Sequence, residues 1–301
     1  MASPSENRRP RALVTGRAGF TGQYVAAELE AAGYEVVGFS HAAASRPDCY
    51  PADLTDRDAV ADAVAWADAD IVIHLAAIAF VAHGDAEAIY RVNVLGTRNL
   101  LEALATAARK PELVLLASSA NIYGNAEAEP ITESTPPSPQ NDYAVSKLSM
   151  EYMARLWADR LPIVIARPFN YTGVGQGENF LLPKIIKHFR EGAAVIELGN
   201  IDVWRDFIDV RQVASAYRRL VEKRPIGGVF NICSGHAYSL REVIEMTEEL
   251  AGRRIEVRVN PAFVRANEVK RLVGSNQLLL DAIGPMQVIP LKETLRWMLS
   301  A

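Results

Sequence analysis

The sequence predicts an α/β fold, a doubly wound parallel sheet with a smaller C-terminal substrate-binding lobe. Short β-branched runs alternate with Ala-rich helical patterns through the first half of the chain. Such alternation indicates parallel strands joined by crossover helices. After Asn170 the alternation stops at a glycine-rich loop, YTGVGQGEN, and the tail mixes helices with short extended runs. The sheet is therefore expected in the first half and the lobe mostly in the second.

The predicted elements of the sheet follow one another in a regular order. The strands are RALVTG, YEVVGFS, DIVIHLAA, ELVLLASS and PIVIARPFN, which are rich in β-branched and other apolar residues. The helical patterns between them span Phe20–Ala32, ended by Gly33, Asp56–Ala67, Ala86–Ala108 and Tyr143–Arg160. Ligands bind beyond the carboxyl ends of parallel strands. The segments SSANIYG and PFN, which follow two of these strands, are therefore expected near a ligand.

The second half predicts a helix over Phe180–Glu191 and an extended segment, AVIELGN. From these patterns we expect a disordered tail at residues 1–11 and a dinucleotide-binding domain made of 12–170 and 202–234. Residues 171–201 and 235–301 are expected to form the substrate-binding lobe. No flexible linker is predicted, because composition does not shift sharply along the chain.

Composition excludes several classes of protein. Half of the 301 residues are apolar and the formal charge is −4, which argues against a nucleic-acid surface or a basic membrane face. Two cysteines, Cys49 and Cys233, cannot build a disulfide framework. No apolar run reaches the length of a membrane span, and no signal peptide is recognisable, so a cytoplasmic protein is expected. No metal site is predicted, because His41, His83, His188 and His236 show no ligand grouping.

The segment VTGRAGFTGQ indicates a dinucleotide site between the first strand and the first helix. Gly16, Gly19 and Gly22 are three residues apart. The first allows a tight turn, and the others let the backbone approach a pyrophosphate at the helix N-terminus. Glycines at this spacing are weak evidence alone, and their position after the first strand strengthens it.

The end of the second strand bears on the choice between NAD and NADP. An acidic residue there would accept a hydrogen bond from the ribose 2′-hydroxyl of NAD. The chain instead has Ser40 and His41, and Arg17 and Arg46 could face a 2′-phosphate or could be solvated surface charges. NADP(H) is therefore favoured, with NAD(H) as the alternative.

Ser119, Tyr143 and Lys147 are candidates for proton transfer. Tyr143 and Lys147 are four residues apart and share one helix face. A nearby ammonium group is expected to lower the pKa of the phenol from about 10, and the tyrosine could then exchange a proton with a substrate oxygen. Ser119 could hydrogen-bond the same oxygen. A Tyr–Lys pair alone would indicate only a helix surface, but with the glycine loop and the serine it favours an oxidoreductase.

The chain resembles the extended short-chain dehydrogenases/reductases that act on nucleotide sugars. The motifs that carry the resemblance span nearly the whole chain: TGRAGFTG, DL at 53–54, HLAA at 74–77, NVLGT at 93–97, SSANIYG, YAVSK, ARPFN, RDFIDV at 205–210 and NICSG at 231–235. Within the family, ARPFNYTGVGQ, WRDFIDV and VRANEVKRLVGS are most similar to reductases and dehydratases of GDP-4-keto-6-deoxy-D-mannose metabolism.

The resemblance implies a Rossmann fold, NADP(H) as cofactor, a GDP-linked 4-keto-6-deoxy sugar as substrate, and a homodimer. It also implies a role for each matching residue. The catalytic residues would be Ser119, Tyr143 and Lys147, and His74 would be structural. The cofactor would lie against Gly16, Arg17, Gly19, Phe20, Thr21, Gly22, Ser40, Asp53, Leu54, Leu75, Ala76 and Lys147, with Asp53 at the adenine and Lys147 at the nicotinamide ribose. The sugar nucleotide would be held by Asn121, Asn170, Asn179, Lys184, Arg205, Arg265 and Glu268.

Physical chemistry is consistent with the substrate residues. A diphosphate favours guanidinium groups, which Arg205 and Arg265 could supply. A ribose diol favours a carboxylate such as that of Glu268. Arg265 and Glu268 could instead pair with each other.

Asn121 separates two reactions within the family. The 4,6-dehydratases that this chain resembles carry a glutamate here as the base at C5 of the sugar, and an amide cannot take that proton. Reduction of the C4 ketone is therefore expected, giving a GDP-D-rhamnose type product or its C4 epimer, with a heptose analogue as a further option. Ala79, where relatives often have a hydroxyl, is a second departure from the family pattern. The alternatives are a nucleotide-sugar 4-epimerase, a dehydratase, or a redox-sensing dinucleotide-binding module that is not an enzyme.

Overall fold

The computed structural model describes residues 8–40, 47–79, 85–264 and 269–301. The chain forms two compact units. The first comprises Met1–Ser118, Ser146–Ala166 and Tyr217–Val229, and the second comprises Ser119–Val145, Arg167–Ala216 and Phe230–Ala301. The chain thus passes repeatedly from one unit to the other. Our assignment of cofactor binding and substrate binding to separate domains stays a prediction.

A parallel sheet of seven strands confirms the predicted fold class, with the strand order β10-β6-β5-β4-β1-β2-β3. All five strands predicted in the first half are present. The short edge strand β3 has no sequence pattern of its own and was not predicted. The strands of the molecule are β1 (Arg11–Thr15), β2 (Glu35–Ser40), β3 (Cys49–Pro51), β4 (Ile71–His74), β5 (Leu113–Ala117), β6 (Ile163–Pro168), β7 (Asn170–Thr172), β8 (Val195–Leu198), β9 (Trp204–Asp209), β10 (Val229–Ile232), β11 (Ala237–Ser239), β12 (Glu256–Val259) and β13 (Arg271–Leu272).

Most helices begin and end close to the predicted positions. Asp56 caps the second helix by accepting from Asp58 N and Ala59 N, and Ser239 forms a capping box with Glu242 at the eighth. The helices are α1 (Phe20–Ala31), α2 (Arg57–Ala67), α3 (Ala86–Tyr90), α4 (Thr97–Thr106), α5 (Asp142–Arg155), α6 (Leu181–Arg190), α7 (Val210–Lys223), α8 (Leu240–Ala251), α9 (Gln277–Ile283) and α10 (Leu291–Ser300).

The single long helix predicted over Ala86–Ala108 is wrong. A π-helical segment, Arg91–Gly96, separates α3 from α4, and α4 ends at Thr106. Contacts with other loops accompany the change of winding: the Asn93 amide binds the backbone of Ile78, and Gly96 lies so close to Leu54 that a Cβ on it would be 2.9 Å from Leu54 Cβ. Tertiary contacts have overridden the α-helical pattern, as often occurs near functional sites.

Each unit has its own apolar core. In the first unit the sheet is sandwiched by helices, and Leu13, Val72, Val114, Leu100 and Leu101 are completely buried. Burial of one such side chain contributes roughly 1.5–3 kcal/mol, and the strands are apolar on both faces as a covered parallel sheet requires.

The second unit builds its core from helices and two small sheets. Leu182, Ile185 and Phe189 of α6 pack in one cluster with Val243 of α8 and Leu295 of α10. Strand β9 lies between β11 and β13 and also pairs with β7, while β8 and β12 form a separate parallel pair. Among the described helices none is long and apolar enough to cross a lipid bilayer.

Candidate functional site

The glycine loop turns tightly between β1 and α1. Gly16 has a φ of +70°, and a Cβ on it would lie 3.1 Å from both Cα and N of Ala76. A Cβ on Gly22 would overlap the carbonyl oxygen of Gly16 and lie 2.7 Å from Cα of Arg17. Gly19 precedes α1, and no side chain caps this helix. Backbone packing therefore requires glycine at positions 16 and 22.

Arg17 is buried against the sheet. Its Nη2 atom lies 2.8 Å from a carboxylate oxygen of Glu30 and 2.8 Å from one of Asp48. Its side chain also packs over β2, where a Cβ on Gly38 would lie 2.8 Å from Arg17 Cβ. Arg17 was expected either to face a 2′-phosphate or to be a solvated surface charge; it is buried, and two carboxylates already share its guanidinium group.

Asp53, predicted at the adenine, and Leu54, predicted at the cofactor, lie in a turn that contacts the π-helical segment through Gly96. Asp53 Oδ1 accepts from the backbone N (2.8 Å) and the hydroxyl (2.9 Å) of Thr55. The backbone oxygen of Leu54 accepts from Asn99 Nδ2 at 3.0 Å, and Gly96 leaves room for the Leu54 side chain. Ser40 is the last residue of β2, half-buried.

His74, at the end of β4, lies at the centre of a chain of buried hydrogen bonds. Thr15 Oγ1 lies 2.7 Å from His74 Nδ1 and accepts from the backbone N of Leu75 and of Ala76 at 3.1 Å each. On the other side, His74 Nε2 lies 2.8 Å from Thr97 Oγ1. Both lone pairs of the Thr15 hydroxyl are used, so its proton must go to Nδ1, and the imidazole must carry its own proton on Nε2.

This arrangement requires a neutral imidazole. Burial and, to a smaller extent, the charge of Lys147 lower the pKa of His74 from 6.5 to about 3. Thr97 Oγ1 continues this series of hydrogen bonds by donating to the backbone oxygen of Asn93 at 2.8 Å. The interpretation of His74 as structural fits this placement, and the network fixes Leu75 and Ala76, two residues predicted at the cofactor.

Asn93 was not among the predicted site residues. Its Oδ1 accepts from Ile78 N at 2.8 Å, and its Nδ2 donates to Ile78 O at 3.1 Å and to Ser146 Oγ at 3.0 Å. Asn93 thus joins the loop after β4 to the residue that precedes Lys147. The motif NVLGT contained the signal, since Asn93 and Thr97 are polar residues four apart, and both prove to be buried.

Tyr143 and Ser119 are brought together in the second unit. Tyr143 is buried near the start of α5, and its phenol is hydrogen-bonded to Ser119. Ser119 Oγ also accepts from the backbone N of Asn121 at 3.1 Å. Burial raises the pKa of Tyr143, Tyr171 raises it further, and the hydrogen bond with Ser119 lowers it.

The expected lowering of the Tyr143 pKa is therefore wrong for this structure. Desolvation favours the neutral phenol, Tyr171 acts in the same direction, and together they outweigh the hydrogen bond with Ser119 that lowers the pKa. Lys147, one turn further along α5, is itself buried, and burial lowers its pKa from 10.5 to about 8, opposed by Glu151. Its Nζ donates to the backbone oxygen of Ala117 at 2.8 Å. Burial thus favours the protonated phenol of Tyr143.

The predicted substrate residues of the second unit are more exposed. Asn121 is half-buried, Asn170 is the first residue of β7 and pairs with Phe207, and Asn179 is exposed just before α6. Lys184 Nζ donates to the backbone oxygen of Glu197 at 2.7 Å, and Arg205 Nη1 donates to that of Trp204 at 2.9 Å. Arg265 and Glu268 lie outside the described residues, as do Arg46, His41 and His83.

Comparison with known proteins identifies the family. Residues 12–233 match the NAD dependent epimerase/dehydratase family. The chain belongs to this family.

Relatives with established names narrow the comparison. The GDP-6-deoxy-D-mannose reductase of Pseudomonas aeruginosa is 38% identical over 96% of both chains. The GDP-6-deoxy-D-talose 4-dehydrogenase of Aggregatibacter actinomycetemcomitans is 34% identical over 90% of both. The predicted resemblance to this family and to a GDP-6-deoxy-D-mannose reductase is confirmed, as is the prediction of an enzyme.

Solved structures agree with the fold of the epimerase/dehydratase family. An epimerase candidate from Burkholderia cenocepacia J2315 superimposes with a TM-score of 0.91 at 54% identity, covering 97% of this chain and 98% of that one. RMD from Pseudomonas aeruginosa in complex with NADPH gives a TM-score of 0.85 at 36% identity, with the same coverage.

The first unit fits the nicotinamide dinucleotide that defines the family. The glycines of the loop carry no side chain beside the start of α1, so a pyrophosphate can approach the backbone N–H groups there. At the end of β5 the hydroxyl of Ser118 is buried, and among the described residues it has no hydrogen-bond partner. A buried polar atom of this kind needs a partner, which a ligand beyond the strand end could supply.

Proposed function

We propose that the chain is an NADPH-dependent reductase of the C4 ketone of a GDP-4-keto-6-deoxy sugar. The observation that carries the proposal is the buried phenol of Tyr143, kept protonated and hydrogen-bonded to Ser119, with an amide at position 121. That set provides a proton donor and no carboxylate base. Both named relatives carry GDP-6-deoxyhexoses in their names, which supports the substrate class.

The proposed chemistry needs one proton from the protein. Ser119 and Tyr143 hydrogen-bond the ketone oxygen, and NADPH, when bound, supplies a hydride to the carbonyl carbon. As the C=O bond becomes C–OH, Tyr143 gives its proton to the oxygen. The phenolate that remains is stabilised by the Ser119 hydroxyl and by the positive charge of Lys147, four residues further along α5. Proton and hydride together balance the reduction of ketone to alcohol.

Asn121 is the reason for preferring reduction to dehydration. Loss of water across C5 and C6 requires a base that removes the C5 proton, and the side chain of Asn121 cannot act as one. Simple reduction requires no such base. The two named relatives correspond to opposite configurations at C4, so the product is a GDP-D-rhamnose type sugar or its C4 epimer.

Substrate binding is assigned to the residues that the resemblance implies. Lys184 and Arg205 carry the positive charge that a diphosphate needs, and Arg265 and Glu268 would add a guanidinium group and a ribose acceptor. Asn121, Asn170 and Asn179 supply neutral donors and acceptors for the sugar. Residues 171–201 and 235–301 are proposed as the substrate-binding lobe, which includes Asn179, Lys184, Arg265 and Glu268, while Asn121, Asn170 and Arg205 would contact the substrate from outside these ranges.

NADP(H) is the proposed cofactor, with NAD(H) as the weaker alternative. The solved relative that is bound to NADPH supports this choice, as does Ser40 at the end of β2. Ser40→Asp should shift the preference towards NADH, because a carboxylate repels a 2′-phosphate. A wild-type kcat/KM tenfold higher with NADH than with NADPH would contradict the assignment.

The reductase proposal is tested with a panel of 4-keto-6-deoxy sugar nucleotides and NADPH. We expect NADPH consumption with the GDP-linked ketone and a single C4 alcohol by NMR. No turnover with any ketone, despite normal cofactor binding, would contradict it.

A 4-epimerase is the second candidate, because a structure of 54% identity is an epimerase candidate. Epimerisation returns the hydride to the same substrate, so the cofactor must stay bound between the two transfers. Purified protein that carries tightly bound NAD and interconverts C4 epimers without added cofactor would favour this candidate.

A homodimer is proposed from the exposed apolar residues of the first unit. Leu95 on the π-helical segment, Tyr152 on α5 and Leu156 just after α5 are exposed, and Leu156 is 79% exposed. Burial of these side chains against a second copy would remove apolar surface from water. Sedimentation should give a dimer at micromolar concentration, and Leu156→Glu should weaken it. A wild-type monomer would contradict the proposal.

A further inference from the structure

The proposed chemistry leaves one buried carboxylate on α5 unused. Glu151, in the second half of this helix, is 1% exposed. Glutamate side chains are almost never completely buried unless they are paired, because removing a carboxylate from water is costly. The burial of Glu151 therefore indicates that the surrounding protein makes use of its charge.

Lys147 lies one turn before Glu151 on the same face of α5. Residues four apart in a helix have Cβ atoms about 5–6 Å from each other, and Lys147 is itself buried. Its Nζ donates to the backbone oxygen of Ala117, at the carboxyl end of β5, at 2.8 Å. That oxygen accepts a hydrogen bond but carries no negative charge. Two buried groups of opposite charge therefore lie next to each other along α5.

Other titratable groups in this region do not supply a counterion. His74 on β4 is neutral, and burial favours the protonated phenol of Tyr143. Arg155, four residues beyond Glu151, is exposed, and its guanidinium carbon lies 4.8 Å from the centroid of a tyrosine ring on the same helix. Among the described residues, Glu151 is the charge that opposes the effect of burial on Lys147.

We infer that Glu151 is a positioning residue that keeps the buried ammonium group of Lys147 charged. The inference rests on the proposed function, in which the positive charge of Lys147 stabilises the phenolate that Tyr143 leaves after proton transfer. Burial favours the neutral amine, which could not stabilise a phenolate. Glu151 therefore acts on the reaction through Lys147, and it extends the pH range of reduction upwards.

The direct test is an NMR titration of Lys147 in protein labelled with ¹³C at the lysine Cε, without substrate. The Lys147 signal is identified by its loss in Lys147→Arg. Glu151→Gln should lower the pKa of Lys147 by at least about one pH unit, a tenfold change in proton affinity, because the countercharge is lost and the side-chain shape is kept. Glu151→Asp retains the charge and should restore most of the wild-type value. The control is Asp159→Asn, which removes an exposed carboxylate just after α5 and should leave the titration unchanged.

The pH profile of kcat/KM with the GDP-linked ketone should change in the same way. In Glu151→Gln the rate should begin to fall at a pH at least about one unit lower than in wild type, and Glu151→Asp should restore most of the range. A merely structural role for Glu151 would lower the activity or the melting temperature without moving this limb of the profile.

A double variant keeps the test decisive if Glu151→Gln is unstable. Removing one partner of a buried charge pair leaves the other uncompensated, whereas removing both does not. Lys147→Met combined with Glu151→Gln should therefore lose less stability to urea than the two single variants lose in sum. Additive losses would overturn the inference.

The outcomes separate the inference from the proposed function. An unchanged Lys147 titration in Glu151→Gln would overturn the inference and leave the reductase proposal standing. Absence of turnover with every ketone would overturn the reductase proposal, and the NMR titration would still decide whether Glu151 maintains the charge of Lys147.

Discussion

The residues predicted to hold the cofactor and those predicted to hold the sugar nucleotide differ in how the protein supports them. In the first unit the predicted cofactor residues are fixed by the protein itself. The backbone packs tightly at Gly16 and Gly22. The backbone N–H groups of Leu75 and Ala76 donate to Thr15 Oγ1, which is hydrogen-bonded to the neutral, buried His74. In the second unit, Lys184 and Arg205 are partly exposed and are held by backbone carbonyl oxygens.

From this difference we propose that cofactor recognition is preformed in the backbone and that substrate recognition depends on adaptable side chains. A backbone cradle binds the same pyrophosphate in every member of a family. Charged side chains on a separate lobe can change with the sugar nucleotide. The predictions below test each side of the comparison, beginning with the largest expected effect.

Gly22→Ala should abolish measurable NADPH binding. The added Cβ would overlap the Gly16 carbonyl oxygen, so the glycine loop must move. Fluorescence titration with NADPH measures the effect. Gly33→Ala is the control, because no atom lies within 4 Å of its Cβ, although its φ of +91° adds about 1–2 kcal/mol of strain. If Gly22→Ala bound NADPH within twofold of the wild-type affinity, the glycine loop would not be a preformed binding site.

Tyr143→Phe should lower kcat by at least about 10²-fold and leave NADPH binding intact. The substitution removes only the hydroxyl that is hydrogen-bonded to Ser119. Steady-state kinetics with the GDP-linked ketone measure the change. Tyr152→Phe, on the exposed side of the same helix, is the control and should be fully active. Near-normal turnover of Tyr143→Phe would show that another group donates the proton.

The rate of reduction should fall above about pH 8. The pKa of Lys147 is lowered to about 8, so its ammonium group is present below that pH and is lost as pH rises through it. Without this charge the Tyr143 phenolate is not stabilised after it gives up its proton. The pH profile of kcat/KM measures the effect, and Lys147→Arg, if active, should remain charged at higher pH. A wild-type profile that stays flat to pH 10 would contradict the role of Lys147.

The buried network around His74 predicts a smaller effect, on stability. The folded pKa of about 3 lies below the usual 6.5, so between these values the unfolded chain binds a proton that the folded chain does not. Stability should therefore fall as pH decreases from 6.5 towards 3, by up to about 1.4 kcal/mol per pH unit from this residue. Urea unfolding of wild type and His74→Gln from pH 4 to pH 7 compares the slopes. Equal slopes would mean that His74 is not held neutral.

The fold was predictable because its signals are local. Strand and helix patterns and three glycines required no knowledge of distant contacts. The π-helical segment was not predictable, because its winding accompanies the contacts of Asn93 with Ile78 and of Gly96 with Leu54. The burial of Arg17 between Glu30 and Asp48 depends on residues up to 31 positions away, and the raised pKa of Tyr143 depends on burial.

The central claim is that Tyr143 donates the proton when NADPH reduces a ketone, and that Asn121 cannot support dehydration. The most direct measurement is a pair of assays on the wild-type protein, followed by mass spectrometry. One contains GDP-mannose and NADP, and the other contains the 4-keto-6-deoxy product of its dehydration and NADPH. We predict no new product in the first assay and, in the second, a product two mass units heavier than the ketone with stoichiometric NADPH consumption. Formation of the 4-keto-6-deoxy sugar from GDP-mannose at a catalytic rate would contradict the claim.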